Sequence, residues 1–269
     1  MTQGKVCRMY EPDWMLCDGG TGDKIDTNYI VITATGDPAF LKPLVPAPLE
    51  ATNEIVIYHG FFKKTLLGGK VSWNWPFQEW GFGIKAKLTQ RPFTEGLYLV
   101  QLYVDDDLVQ AHGREIWGYP KKMAEMTIAQ DTDRDSEGYD YTVTRRGSRL
   151  VTGSVRNLRP IESTDFPLQT GHVICFKQVP SATSPMVKSQ ELVYVLVEFP
   201  QGPAWAGDAS IEITDGIADQ LPFGPLKNLK GYFGRRLFTH NGLSPLVIDA
   251  MELARPLKFG TEYIAKAAE

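Results

Sequence analysis

The chain has 269 residues, 43% hydrophobic and 22% charged, with 28 Lys+Arg against 32 Asp+Glu for a formal net charge of −4. That much apolar material can bury a core, which excludes a disordered or collagen-like chain, and the missing basic excess argues against a nucleic-acid partner. Three cysteines, Cys7, Cys17 and Cys175, are too few and too scattered for a disulfide framework, and none forms a CxxC pair.

The first eight residues turn polar before a signal-peptide core could form, and no apolar run approaches the roughly 18–20 residues of a membrane helix. A cytoplasmic protein with no membrane partner is therefore expected. Along the chain the dominant period is two. Residues 29–33 and 54–61 read as strands; a short helix is expected between them over 37–43, with Asp37 as N-cap and Pro38 in its first turn. From Trp80 to Leu88 the apolar residues fall on even numbers and the small or charged ones on odd numbers, the pattern of a half-buried strand. Further strands are expected over 97–104, 139–145, 149–155, 172–178, 192–199 and 210–214, rich in Val, Ile, Tyr, Thr and Phe. Two more helices are expected over 226–237 and 261–268. No repeat, low-complexity tract or linker interrupts residues 1–269. The expected fold is a single strand-rich α+β domain: a curved or closed, barrel-like antiparallel sheet with a few peripheral helices.

Several chemical motifs fail. Asp131-Thr132-Asp133-Arg134-Asp135 opens like a calcium loop, but Ser136 stands where glycine is required and Thr142 where the bidentate Glu belongs. Asp105–Asp107 reads as a polar turn. Gly68-Gly69-Lys70 is followed by Val71 and is no phosphate loop. No G-x-S-x-G or H-E-x-x-H occurs, and His172 and Cys175, three apart in a strand, point to opposite faces. The basic residues Lys227, Lys230, Arg235 and Arg236 read as a solvated or subunit-facing surface.

One stretch is chemically unusual: Gly113-Arg114-Glu115-Ile116-Trp117-Gly118-Tyr119-Pro120-Lys121-Lys122-Met123. A lysine that attacks a carbonyl near neutral pH must shed a proton it ordinarily holds to about pH 10.4. Burial among apolar groups and a second cation nearby both favour that loss. The flanking aromatics could supply the first and the doubled lysine the second. Adjacent residues of a straight strand point to opposite faces, so either Pro120 bends the chain and brings both amines inward, or desolvation of one lysine dominates. Desolvation is the favoured alternative.

Gly113-Arg114-Glu115 followed by Tyr119-Pro120-Lys121-Lys122 resembles the signature of the acetoacetate decarboxylase-like superfamily. Val45-Pro46-Ala47-Pro48-Leu49-Glu50, Phe77-Gln78-Glu79-Trp80-Gly81 and Gly202-Pro203-Ala204-Trp205-Ala206-Gly207 are similar to other segments of it, so that the likeness covers about residues 24–260. Lysine activation in that enzyme is an established example of the desolvation and neighbouring-cation effects. The resemblance implies that Lys121 forms a Schiff base with a ketone, that Lys122 is its electrostatic or positioning neighbour, and that Glu79 moves protons near the imine. Arg114, His59 and Tyr119 are expected to bind substrate, with Arg114 equally readable as the structural ion-pair partner of a nearby carboxylate, the slightly favoured reading. A second family glutamate aligns near His59, and an arginine associated with the substrate carboxylate aligns near Thr27, with Lys24 close by.

The implied protein is a lyase without metal or organic cofactor, a homo-oligomer acting on a small oxo acid. Decarboxylation of a 3-oxo acid comes first. Pyruvate aldol condensation with dehydration, or hydration of an unsaturated 2-oxo acid, uses the same iminium. A non-catalytic β-barrel that binds an apolar ligand is the rival from another class.

Overall fold

The computed structural model describes residues 23–67, 70–73, 76–88, 95–131, 138–180, 187–200, 202–216, 219 and 224–249. Its strands are β1 (Asp23–Gly36), β2 (Leu49–Leu67), β3 (Lys70–Trp73), β4 (Phe77–Leu88), β5 (Glu95–Val104), β6 (Lys121–Met123) and β7 (Glu125–Asp131), then β8 (Gly138–Arg145), β9 (Ser148–Ile161), β10 (Gly171–Pro180), β11 (Val187–Glu198), β12 (Ala204–Ile213) and β13 (Leu226–Asp249). Two short helices, α1 (Pro38–Leu41) and α2 (Asp107–His112), lie between strands. No helix among the described residues is long and apolar enough to cross a membrane.

All thirteen strands join one sheet, in the order β1-β2-β4-β5-β10-β11-β13-β12-β9-β8-β7, with β3 beside β2 and β6 beside β5. The first part of β13 also pairs with β1, and its far part pairs with β11, so the ladder that leaves β1 comes back to it. From β13 the sheet continues through β12, β9 and β8 to an open edge at β7, and as a whole it is not closed. The α+β, strand-rich expectation holds with one correction: the sheet is mixed. β5 runs parallel to both β10 and β6. α2 and the turn after it carry the chain back along the sheet, the helical crossover a parallel neighbour needs.

Period two gives the sheet two distinct faces. On one, Ile30, Ile57, Trp80 and Phe82 pack with Tyr141 and Val143 of β8 in an apolar core. On the other, Tyr29, Val56, Tyr58, Leu102 and Val195 form a second apolar cluster. Trp80, Phe82, Ile84, Ala86 and Leu88 are all buried, as their even spacing requires.

The helix expected over 226–237 is overturned. That segment lies in β13, paired with β1 from Gly36↔Leu226 to Asp23↔His240. Apolar residues at 226, 229, 233 and 237 imitate a helical stripe, but Gly231 and Gly234 are costly inside a helix, and cross-strand pairing outweighs the local period. The helix expected over 261–268 lies outside the described residues. α1 has the anticipated cap: Asp37 Oδ1 accepts from Ala39 N at 2.8 Å. The Asp105–Asp107 turn heads α2, which the sequence pattern did not announce. Asp106 caps it by accepting from Val109 N at 2.8 Å, and Asp105 accepts from Gln78 N at 2.6 Å.

Candidate active site

β4, β5 and β6 lie side by side, with Glu79↔Val104 and Leu102↔Lys121 in register. This brings Glu79 and Lys121 onto the cavity face together. Lys121 Nζ lies 2.8 Å from Glu79 Oε2, and the two residues are 6% and 8% exposed. Glu79 Oε1 accepts a hydrogen bond from Tyr58 OH at 2.6 Å. The Lys121 ammonium also sits 5.3 Å from the centroid of the Tyr119 ring, within cation–π range.

Burial pushes the phenols of Tyr29, Tyr58 and Tyr119 well above their ordinary range, and the charge of Glu79 adds to it; at Tyr119 the buried Cys175 contributes as well. All three therefore stay protonated at neutral pH and can donate. Burial, and then the charge of Lys121, lower His112 to about 4, so its imidazole is neutral in the same cavity.

The segment after α2 explains how the lysine is held. Gly113–Trp117 forms a wide π-type turn, a distortion that recurs at functional sites. Gly118 ends it in the left-handed region (φ 73°), which glycine enters without the penalty a Cβ imposes. Gly113 lies against the lysine arm: a Cβ there would fall 2.7 Å from Cδ and Cε of Lys121 and 3.1 Å from its Nζ. Arg114 is exposed and donates through Nη1 to the Lys121 carbonyl at 3.2 Å, holding the β6 backbone from outside the cavity.

Lys122 points the other way. β6 is regular, and no bend at Pro120 turns both amines inward. Lys122 Nζ reaches Asp219 Oδ1 at 2.7 Å on the packed side of the sheet, and Arg145 Nε and Tyr103 OH donate to the same carboxylate at 2.8 and 3.2 Å. His59 is also on that side: fully buried, its Nε2 3.0 Å from Gln78 Oε1 and its ring edge-on to Tyr141 at 5.1 Å. Thr27 is buried, and its hydroxyl donates to Ile25 O at 3.1 Å. The structure thus gathers Lys121, Glu79 and Tyr119 around one cavity and leaves Lys122, His59 and Arg114 out of it. Tyr29, Tyr58 and His112 join that cavity without having been singled out from the sequence. Their only signal was position: two tyrosines on expected strands, and a histidine just before the glycine-arginine-glutamate motif.

Residues 15–248 match the family model described as acetoacetate decarboxylase. The chain belongs to the acetoacetate decarboxylase family. It is 27% identical to the acetoacetate decarboxylase of Burkholderia multivorans over 190 residues, covering 71% of this chain and 73% of that one. The Burkholderia cenocepacia acetoacetate decarboxylase is 28% identical over 193 residues, 70% and 73% of the two chains. Among solved structures, acetoacetate decarboxylase from Legionella pneumophila superposes with a TM-score of 0.69 at 15% identity, over 85% of this chain and 88% of that one. The enduracididine biosynthesis enzyme MppR, complexed with the condensation product of pyruvate and imidazole 4-carboxaldehyde, reaches 0.67 at 17% identity, over 88% and 92%. Membership in the acetoacetate decarboxylase family makes the chain a lyase-type enzyme. Among its described residues no cluster of three or more His, Cys, Asp or Glu side chains could hold a metal ion.

Proposed function

We propose that Lys121 is the amine nucleophile of a Schiff-base lyase that decarboxylates a 3-oxo acid. One observation carries this: a buried lysine inside a cavity, its Nζ 2.8 Å from a carboxylate able to take its proton. Amine attack on the ketone carbon and loss of water give a protonated imine. The electrons of the bond to the carboxylate then flow into C=N, CO₂ leaves, and an enamine remains. Protonation at carbon and hydrolysis release the ketone and return the amine.

Glu79 is placed to receive the proton from Lys121 and to return protons in later steps, with Tyr58 orienting its other oxygen. Tyr119 lies beside the developing cation. Lys85 and Lys87 also line the cavity but stand at its far end, so a substrate carboxylate beside Lys121 faces chiefly the iminium. An anion in an apolar space is costly, and departure as CO₂ removes it.

The test is borohydride reduction with acetoacetate present. The expected result is a permanent mass increase on the peptide carrying Lys121, absent from Lys121→Ala, with acetone and CO₂ as the products of unreduced turnover. An unmodified Lys121 with acetoacetate and with every other ketone tried sinks the proposal. A second use of the same iminium, condensation of pyruvate with an aldehyde, draws support from the likeness in fold to MppR, whose structure holds the condensation product of pyruvate and imidazole 4-carboxaldehyde. Release of an unsaturated 2-oxo acid in place of CO₂ identifies it.

A further inference from the structure

The Lys121–Glu79 pair occupies one end of a cavity of about 670 Å³, within the roughly 300–1,000 Å³ of pockets that enclose drug-sized ligands. β4 contributes Glu79 at one end of the lining and Lys85 toward the other. Between them the wall is supplied by β2, from Tyr58 through Val56 to Glu54, and by β5, from Leu102 through Leu99 and Leu97 to Glu95, with Tyr58, Leu102 and Leu97 lying over Gly81 and Gly83. At about 3.3 Å per strand residue, the distance from Glu79 to Lys85 is roughly 20 Å. The wall between them is apolar: Val56, Leu97, Leu99, Leu168, Val173 and Val197. Charge returns at the rim, where Lys85 pairs with Glu54 and both are about half exposed.

A four-carbon oxo acid with its ketone carbon at Lys121 leaves nearly all of this passage as apolar wall facing water. The tail of a longer substrate would cover that wall. We infer that the enzyme takes a carbonyl compound bearing an unbranched apolar tail of several methylenes, a medium-chain 3-oxo acid in the decarboxylation reaction. The carbonyl carbon sits at Lys121 and the tail lies between β2, β4 and β5 toward the Glu54–Lys85 rim. This rests on Lys121 being the amine that holds the carbonyl.

The discriminating experiment uses the unbranched 2-ketones from acetone upward, the product type of the reaction, trapped by borohydride across a range of concentrations. Each buried methylene contributes about 0.8 kcal/mol, so half-saturation of the Lys121 adduct should fall about fourfold per added carbon until the tail reaches the rim. In Leu99→Trp, which fills the passage from β5, the gradient should stop at short chains while acetone trapping is unchanged. Val56→Phe narrows it from β2 and repeats the test should the first variant fail to fold. Adducts that form with the same half-saturation across the series overturn the tail and leave the lysine mechanism standing. The absence of any Lys121 adduct with any ketone overturns both.

Discussion

Lys121 and Lys122 leave one short strand in opposite directions and enter regions held together by different forces. On the cavity face the walls are apolar and aromatic, and the ionised groups near the lysine reduce to one contact with Glu79. On the packed face Lys122 meets Asp219, which Arg145 and Tyr103 also grip, so the amine there is consumed in a structural tie. Strand alternation alone is enough to separate an amine in the cavity from its twin next door. Identical side chains acquire different work from the face they land on, and a doubled lysine need not mean two cations in one pocket.

That division can be broken from the cavity side first. Glu79→Gln keeps an oxygen for Tyr58 OH but loses the proton acceptor beside Lys121. The expected outcome is a 10²–10⁴-fold fall in kcat, with the urea midpoint little changed. A kcat near that of the unmodified enzyme removes Glu79 from proton transfer.

From the packed side the pattern reverses. Asp219→Asn should cost about 1–3 kcal/mol in urea unfolding, the scale of hydrogen bonds to charged groups, because Lys122 and Arg145 lose their shared anion. Lys122→Met should leave the pH dependence of kcat where it was. Displacement of that profile would bring the neighbouring-cation explanation back. Burial by itself would raise the Asp219 carboxyl, but the hydrogen bonds and charges of Lys122 and Arg145 outweigh it and hold the group below its usual range. A carboxyl depressed by folding stabilises above its unfolded pKa, about 3.9, and loses that contribution as pH falls through the folded value. Stability curves for the original chain and Asp219→Asn should therefore converge as pH drops below about 4.

The smallest effect concerns His59. Burial lowers it to about 4, against a partly opposing hydrogen bond with Gln78. Between about pH 6.5 and 4 the unfolded chain takes up a proton that the folded imidazole refuses, so stability declines as the solution is acidified. His59→Leu should flatten this decline in melting temperature against pH. It should not abolish it, since His112 is lowered in the same direction.

Much of this was readable in the residues. The even-numbered run from Trp80 to Leu88 fixes a strand and its buried face, and the glycine-arginine-glutamate and proline-lysine-lysine pattern picks out Lys121. Alternation also indicated that two adjacent lysines diverge if the strand is straight, with a bend at Pro120 as the other alternative. What stayed hidden depends on contacts between distant segments. His59 aligned with an expected glutamate, yet period two assigns faces only relative to neighbours, and which face holds the cavity is settled by β4, β5 and β6 lying together. Tyr58, one residue earlier, turned out to be the side chain that reaches Glu79. β13 was misread because its stripe is local and its partners are not.

The pairing of β13 with β1 joins the two ends of nearly the whole described chain. Contacts of such long sequence range come late and slowly, since much chain entropy is lost before they contribute. On the ribosome, β1, β2, β4, β5 and β6 can all emerge while β13, the strand that joins β1 to β11, is still unsynthesised. Closure of that ladder is thus a late event of biogenesis, and a chain truncated before residue 226 would carry Lys121, Glu79, Tyr58 and Tyr119 while β1 and β11 lacked the strand that joins them.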